Sequence, residues 1–237
     1  MEVVRAVILK SINYSETQKI VYAYTREKGF LSFITPVNIF KRKSNVVHLM
    51  QVVEIEYFEN EKSNLHKLKT ITPILNTSQL YFDIFKMNIV LLWAELLYLI
   101  LKNEDKNEDL YDYIIRSADY LNSTQTDVGN FNLFFLYRLP TLLGFRIDTD
   151  SWQEGSVFNL SDGSFYPATS TIPHISGPNT ARIIHLLCTC QPEELKAIPL
   201  NRQSRNILLD VILHFLNLHL NIDFNIKSIQ VIREIFS

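Results

Sequence analysis

Cysteine is scarce in this chain of 237 residues, and the marks of secreted and membrane proteins are absent. Only two cysteines occur, Cys188 and Cys190, which excludes a disulfide framework and favours a reducing compartment. The N-terminus, MEVVRAVILK, lacks the apolar core and cleavage site of a signal peptide. The longest apolar run, residues 89–101, contains Glu95 and is shorter than the roughly 20 residues of a membrane span. We therefore expect a cytoplasmic protein with no membrane partner.

Motifs that carry catalysis are missing as well. The six glycines are scattered, and none stands in a phosphate-cradling Gly-x-Gly or Gly-Lys-Ser/Thr context. The six histidines are dispersed, and Cys188 and Cys190 would face different directions on a helix. Paired carboxylates such as Glu54 and Glu56 are best explained as solvated charge. The sequence therefore predicts no enzyme, no metal site and no cofactor.

The chain does contain many aromatic residues and an uneven distribution of charge. It has 15 Phe and 11 Tyr, and its formal net charge is −2. Residues 1–80 hold 11 Lys and Arg against 7 Asp and Glu, a net of +4. Residues 81–237 hold 12 against 18, a net of −6. Opposite charge suggests that the two parts have different partners.

Before residue 80 the hydrophobic pattern is that of strands. Five segments have the alternation and turn residues of short strands, namely residues 3–10, 20–24, 30–34, 52–57 and 65–71. Gly29 suits a hairpin turn, and Pro36 should end the third strand. This number and size of strands predicts a small barrel, either an OB-fold or an SH3-like barrel, which periodicity does not distinguish.

From Tyr81 onward the pattern is that of helices. We predict them at residues 83–102, 108–121, 127–143, 178–190, 201–220 and 226–236. Pro140 is expected to kink or interrupt the third, and Gly144 to cap it. Residues 145–175 should form an irregular insertion with a minimal hairpin around Asp162 and Gly163. The predicted fold is α+β, with a barrel domain at 1–78 and an α-helical domain at 79–237.

Basic and aromatic residues of the first domain favour nucleic-acid binding. Single strands are bound by a positive groove together with aromatic rings on which bases stack. Tyr22, Tyr24 and Phe33 are candidate stacking residues, although core positions are slightly favoured for the two tyrosines. The alternative is a solvated basic loop. Phosphate contacts are predicted for seven cations, the last two being weaker candidates: Arg26, Lys28, Lys41, Arg42, Lys43, Lys10 and Lys19.

Four short segments within the first 35 residues form a specific pattern: 6–10 (AVILK), 14–17 (YSET), 25–29 (TREKG) and 32–33 (SF). Their sequence and spacing resemble RecO, the bacterial recombination mediator family. More weakly, residues 134–138 (FFLYR) and 142–145 (LLGF) resemble a helix end of the family. Many RecO proteins carry a four-cysteine zinc module just after this point, but residues 148–167 contain no cysteine, so we expect no zinc. A small apolar cluster is expected instead, from Trp152, Phe158, Phe165 and Tyr166.

The resemblance implies an OB-fold joined to a helical domain, and a function in DNA repair and recombination. The family binds single- and double-stranded DNA, anneals complementary strands and engages the acidic C-terminal tail of the single-stranded-DNA-binding protein SSB. It works with RecR, in many bacteria also with RecF, to help RecA load onto SSB-coated DNA. The chain is expected to be monomeric by itself and associated with the nucleoid in the cytoplasm.

A receptor for the SSB tail needs an apolar groove with a basic residue for the terminal carboxylate. Arg138, with Phe135 and Tyr137, is the candidate, and a structural arginine is an equally weighted alternative. Two other functions stay open. They are a protein-interaction adaptor, which the net acidic helical part suits, and an RNA-binding OB protein.

Overall fold

The computed structural model describes residues 1–41, 48–102, 104–169 and 176–235. The chain begins with five strands: β1 (Glu2–Asn13), β2 (Gln18–Thr25), β3 (Gly29–Pro36), β4 (Val52–Phe58) and β5 (Leu65–Pro73). They form a closed barrel in the order β1-β2-β3-β5-β4, in which β1 also pairs with β4. β3 and β5 are parallel, and the other neighbours are antiparallel. This five-stranded closure is that of an OB-fold, which confirms the predicted barrel and decides between its two candidates.

Alternating apolar residues fill the inside of the barrel. Val21 and Phe33 are fully buried there together with residues of β1, β4 and β5. Two irregularities interrupt the alternation, and one of them lies between Ile8 and Lys10 of β1. Ile8 belongs to the core, whereas Lys10 is opposite Tyr22 of β2, so the irregularity turns Lys10 to the other face of the sheet.

Three helices complete the first compact unit, Met1–Ser123: α1 (Gln79–Phe82), α2 (Ile84–Leu101) and α3 (Glu108–Ser123). The carboxylate of Asp83 starts α2 by accepting hydrogen bonds from the amides of Phe85 and Lys86. By length and composition α2 could span a membrane, but 61% of it is buried inside the protein. Trp93 at its centre is fully buried, so α2 is a core helix, as expected.

Four helices form most of the second compact unit, Thr124–Ser237: α4 (Val128–Leu142), α5 (Pro178–Thr189), α6 (Arg202–Leu220) and α7 (Ser228–Ile235). Pro140 lies inside α4 without interrupting it, and Gly144 follows the helix at φ +90°. The predicted minimal hairpin is present as β6 (Ser156–Phe158) and β7 (Phe165–Pro167).

The irregular insertion carries its own apolar contacts. The rings of Phe158 and Phe165 are 5.1 Å apart, and both side chains are buried. Trp152 stacks on His185 at 4.4 Å, and Phe165 meets the same imidazole edge-on. Tyr166 instead points its hydroxyl at the carboxylate of Asp162. In the described part of the chain, no three His, Cys, Asp or Glu side chains lie close enough to hold a metal ion.

Candidate nucleic-acid interface

The outward-facing residues of β2 and β3, together with the residues of β1, β4 and β5 that lie in register with them, form a continuous surface, called here the outer β2–β3 face. Val21 and Phe33 are paired and point inward, so the residues on either side of each point outward. Strand pairing arranges these residues in two adjacent rows. The first row contains Lys10, Tyr22, Ser32 and Leu65, and the second contains Ile12, Ile20, Ile34, Lys67 and Phe58.

At one end of this face is a groove of about 830 Å³, called here the loop groove. It lies between β3, the start of β2 and the β4–β5 loop, residues 59–64. OB-folds bind oligonucleotides on the same strands and with the same loop. Its lining is Gln18, Ile34, Thr35, Pro36, Phe58, Glu59, Asn60, Glu61, Lys62, Leu65 and Lys67.

The loop groove combines exposed apolar surface with unpaired positive charge. Phe58 is 47% exposed, and Ile34 and Leu65 are partly exposed. Lys62 and Lys67 are exposed, and neither forms an ion pair with any residue that the structure describes. Of the two carboxylates in the lining, Glu59 is already bound by Lys28 at 3.2 Å, whereas Glu61 is exposed beside Lys62 and forms no ion pair with any described residue. The isolated lysines of the groove were not among the residues predicted from the sequence.

His66 anchors the loop that borders this groove. The amide of Asn60 donates to His66 Nδ1 at 3.1 Å, so this nitrogen must be unprotonated. The imidazole is buried next to Phe33 and Tyr57. Burial lowers the pKa of His66; Lys28 acts in the same direction and Glu59 opposes it. The neutral ring is therefore the form that holds the loop.

Arg26 and Lys28 lie in the β2–β3 turn, residues 26–29, which is called here the hairpin tip. Arg26 forms two hydrogen bonds to the carboxylate of Asp112, at 3.1 and 3.2 Å, and an ion pair with Glu108 at 2.7 Å. The hydrogen bond from Arg26 lowers the pKa of Asp112. Lys28 contacts Glu59 at 3.2 Å and Glu2 at 3.5 Å. Both predicted phosphate ligands are thus neutralised within the protein, and a phosphate would have to displace carboxylates from them.

Two of the three candidate stacking residues belong to the interior. Phe33 is fully buried in the barrel core. Tyr24 is 1% exposed; its hydroxyl donates to the carbonyl of Asp105 at 3.1 Å and accepts from the amide of Asn107 at 2.9 Å. Neither ring has a face open to a base. Tyr22 differs, since it is partly exposed on the outer β2–β3 face.

The remaining predicted cations are dispersed. Lys10 lies in the first row of the outer β2–β3 face, with Nζ 4.2 Å from the centre of the Tyr98 ring. Lys19 is partly exposed near the start of β2. Lys41 is the last residue of a short 3-10 helix, Val37–Lys41. Arg42 and Lys43 lie outside the described residues, so the role of the basic run stays a prediction.

The three residues predicted to receive the SSB tail do not form a surface. Phe135 and Tyr137 are buried, and the Tyr137 hydroxyl donates to the carbonyl of Leu208 at 2.8 Å. Neither side chain is accessible to a peptide. Arg138 donates to the carbonyl of Cys190 at the end of α5, and its guanidinium lies 4.2 Å from the Phe134 ring. These contacts agree with the structural alternative for Arg138.

A different groove exists in the helical unit, of about 140 Å³ and called here the α5–α6 groove. Its apolar walls include Ile183 and Leu200, and Ile207 on its border is 44% exposed. Arg182 is exposed at the same groove and forms no ion pair with any described residue. Arginine beside apolar surface suits a peptide that is both acidic and hydrophobic.

Comparison with known families agrees with the barrel and the helices. Residues 1–76 match the model of the N-terminal domain of recombination protein O, and residues 81–228 match that of its C-terminal domain. The chain belongs to the RecO family. The protein of Phocaeicola vulgatus named DNA repair protein RecO is 30% identical to this chain, over 98% of this chain and 97% of its own length. The RecO proteins of Christiangramia forsetii and Bacteroides fragilis are 30% and 29% identical, over 98% and 97% of both chains.

The family membership confirms the resemblance inferred from residues 6–33. A RecO protein acts in DNA repair and recombination, and the OB-fold barrel followed by helices is the architecture expected of it. The two matched regions meet at residues 76–81, where the strands end and the helices begin. The first compact unit extends further, to Ser123, because α2 packs on β1, and α1 packs on both α2 and α3.

Proposed function

We propose that this RecO-family protein binds and anneals single-stranded DNA through the outer β2–β3 face, and thereby helps RecA load onto SSB-coated DNA. The observation that carries the proposal is the coincidence, on one face of an OB-fold, of unpaired lysines and exposed apolar side chains. Lys62 and Lys67 would neutralise phosphates, while Phe58 offers a ring for a base. Double-stranded DNA would be held by phosphate contacts alone.

Annealing by this route needs no catalytic group. Each phosphate neutralised by a lysine releases counterions, and two strands with screened phosphates can approach closely. Base pairing then supplies the driving force. The chain carries a net charge of only −2, so the attraction must come from a local surface rather than from the whole molecule.

The α5–α6 groove is our candidate receptor for the acidic tail of SSB. Ile183 and Ile207 would contact the apolar residues of the tail, and Arg182 would bind a carboxylate. This assignment replaces the surface first expected around Arg138. RecR, and in many bacteria also RecF, would act beside the protein on the nucleoid.

The first test is annealing of complementary oligonucleotides that are pre-coated with the cognate SSB, across a salt series. The native protein should accelerate annealing at low salt, and the acceleration should fade as salt rises. The Lys62→Gln/Lys67→Gln protein should lose most of it, whereas Lys196→Gln, an exposed lysine of the helical unit, should behave as the native protein does. No acceleration by the native protein would sink the proposal and favour the adaptor alternative. Equal annealing of RNA would favour the RNA-binding alternative.

The second test measures binding of a fluorescent peptide with the sequence of the SSB tail. Ile207→Asp places a negative charge in the α5–α6 groove and should weaken binding at least about tenfold. Leu218→Asp is the control, because Leu218 is 48% exposed on the same helix but does not line the groove. If both variants bind the peptide like the native protein, the tail binds elsewhere.

A further inference from the structure

An aromatic cluster lies where the outer β2–β3 face meets helix α2. Tyr22 of β2, Phe30 of β3 and Tyr98 of α2 are mutual neighbours, with ring centres 5.3–6.1 Å apart. All three are partly exposed, in contrast to Tyr24 and Phe33 on the same strands. The cluster thus offers aromatic surface to solvent beside the barrel rather than inside it.

Two lysines border the aromatic cluster. Lys10 is opposite Tyr22 in the strand pairing, and its ammonium lies 4.2 Å from the centre of the Tyr98 ring. Lys102 is exposed directly after α2. Burial raises the pKa of Tyr22 and the charge of Lys102 acts in the opposite direction, which places this lysine near the ring. Neither lysine has a carboxylate partner among residues 1–41, 48–102, 104–169 and 176–235. Their positive charge is therefore available to an anionic ligand.

The loop groove and the aromatic cluster occupy adjoining parts of one surface. Tyr22 and Ser32 belong to the first row of the face, and Ile34 and Lys67 to the second, two residues further along each strand. From Phe58 to Lys10 the surface crosses β4, β5, β3, β2 and β1, about 20 Å at roughly 4.8 Å per strand. That length suits the smaller OB-fold sites, which hold about four nucleotides.

We propose that Tyr22, Phe30 and Tyr98, with Lys10 and Lys102, form a base-stacking site for single-stranded nucleic acid, so that helix α2 is part of the DNA interface. This inference rests on the proposed function of the outer β2–β3 face and names the second half of its binding site. Bases stack on the exposed aromatic surface, and the two lysines bind the flanking phosphates. The backbone of Glu104 and Asp105 packs against Gly29 at the hairpin tip, and both residues are exposed there. Their carboxylates would repel phosphates, so the proposed path of the nucleic acid ends before the tip.

The test is binding of fluorescent oligothymidylates to the full chain. Tyr98→Leu keeps an apolar side chain against the barrel but removes the ring, and affinity should fall about fivefold or more. Lys102→Gln alters only an exposed residue, and the slope of log affinity against log salt should fall in magnitude by about 0.7. Phe82→Leu is the control: Phe82 is 84% exposed in the same unit, lies outside the cluster, and its replacement should change nothing. Photocrosslinking with bromodeoxyuridine should label Tyr22 or Tyr98.

The possible outcomes separate the two proposals. If the native protein binds DNA and Lys67→Gln weakens binding, but Tyr98→Leu and Lys102→Gln bind as the native protein does, this inference is wrong and the loop groove stands. If the native protein does not bind single strands, both proposals fall. Circular dichroism of Tyr98→Leu checks that α2 is still folded, and Lys102→Gln keeps the proposal falsifiable if it is not.

Discussion

The hairpin tip and the outer β2–β3 face are built from the same two strands, yet they differ in what their cations contact. At the tip, Arg26 is held by Asp112 and Glu108, and Lys28 by Glu59 and Glu2. On the face, Lys67 and Lys10 have no carboxylate partner in the described part of the chain. The two cations of the tip are close together in the sequence, whereas those of the face come from different strands. Only the cations of the face, however, are free of carboxylate partners among the described residues. We therefore expect ion pairing, rather than the density of basic residues in the sequence, to decide which cations bind DNA.

The hairpin tip is a packing contact, and its glycine is required for the close approach. Gly29 has φ +73°, and a Cβ there would lie 2.5–2.7 Å from backbone atoms of Glu104, Asp105 and Lys106. The amide of Phe30 also donates to the carbonyl of Glu104 at 3.1 Å. The turn is therefore fastened to the segment between α2 and α3, which leaves little room for a nucleic-acid strand.

The largest expected effect follows from this close approach. Gly29→Ala should destabilise the protein by about 3 kcal/mol, because a positive φ and a clash with backbone combine. Urea denaturation measures it. Gly155→Ala is the control, since Gly155 has φ +83° but nothing within 4 Å of the added carbon, and should cost only about 1 kcal/mol. Equal costs for the two variants would mean that the tip is not fastened in this way.

A smaller effect concerns pH and the loop that borders the groove. Because burial lowers the pKa of His66, the unfolded chain takes up a proton near pH 6.5 while the folded protein does not, so stability falls as pH drops below that value. His66→Asn keeps an acceptor for the Asn60 amide and removes the titration. Urea midpoints at pH 7.5 and 5.5 should therefore differ more in the native protein than in the variant. Burial also lowers the pKa values of His48 and His185, so these residues make both proteins less stable at low pH. Only the difference between the native protein and the variant therefore reports on His66.

If the two proteins lose the same stability between these pH values, His66 does not hold the loop in its neutral form. If the variant loses more, protonation of His66 would have to stabilise the loop, which contradicts the hydrogen bond from Asn60.

The barrel could be predicted from sequence because its signals are local. Alternation within each strand, Gly29 in a turn and Pro36 at a strand end are all visible within a few residues. The resemblance to RecO, carried by residues 6–33, supplied the choice of fold that periodicity left open. The six longer helices could be predicted from their period for the same reason, whereas the four-residue helix α1 was not predicted.

The candidate site could be predicted only in part, because ion pairs between distant residues, strand irregularities and burial decide which side chains are accessible. Arg26 is neutralised by Asp112, 86 positions away, which no window of sequence reveals. Simple alternation places Lys10 on the same face as Ile8, and only the irregularity in β1 turns it outward. Residues 133–137 of α4 are all apolar or aromatic, so the pattern did not show that Phe135 and Tyr137 are buried.

The salt dependence of single-stranded DNA binding shows whether phosphates contact the outer β2–β3 face and its loop groove or the hairpin tip. Removing two phosphate contacts should reduce the magnitude of the slope of log affinity against log salt by about 1.4. We expect this change for Lys62→Gln/Lys67→Gln and an unchanged slope for Arg26→Gln/Lys28→Gln. The reverse result, a reduced slope for the tip variant and an unchanged slope for the face variant, would contradict it.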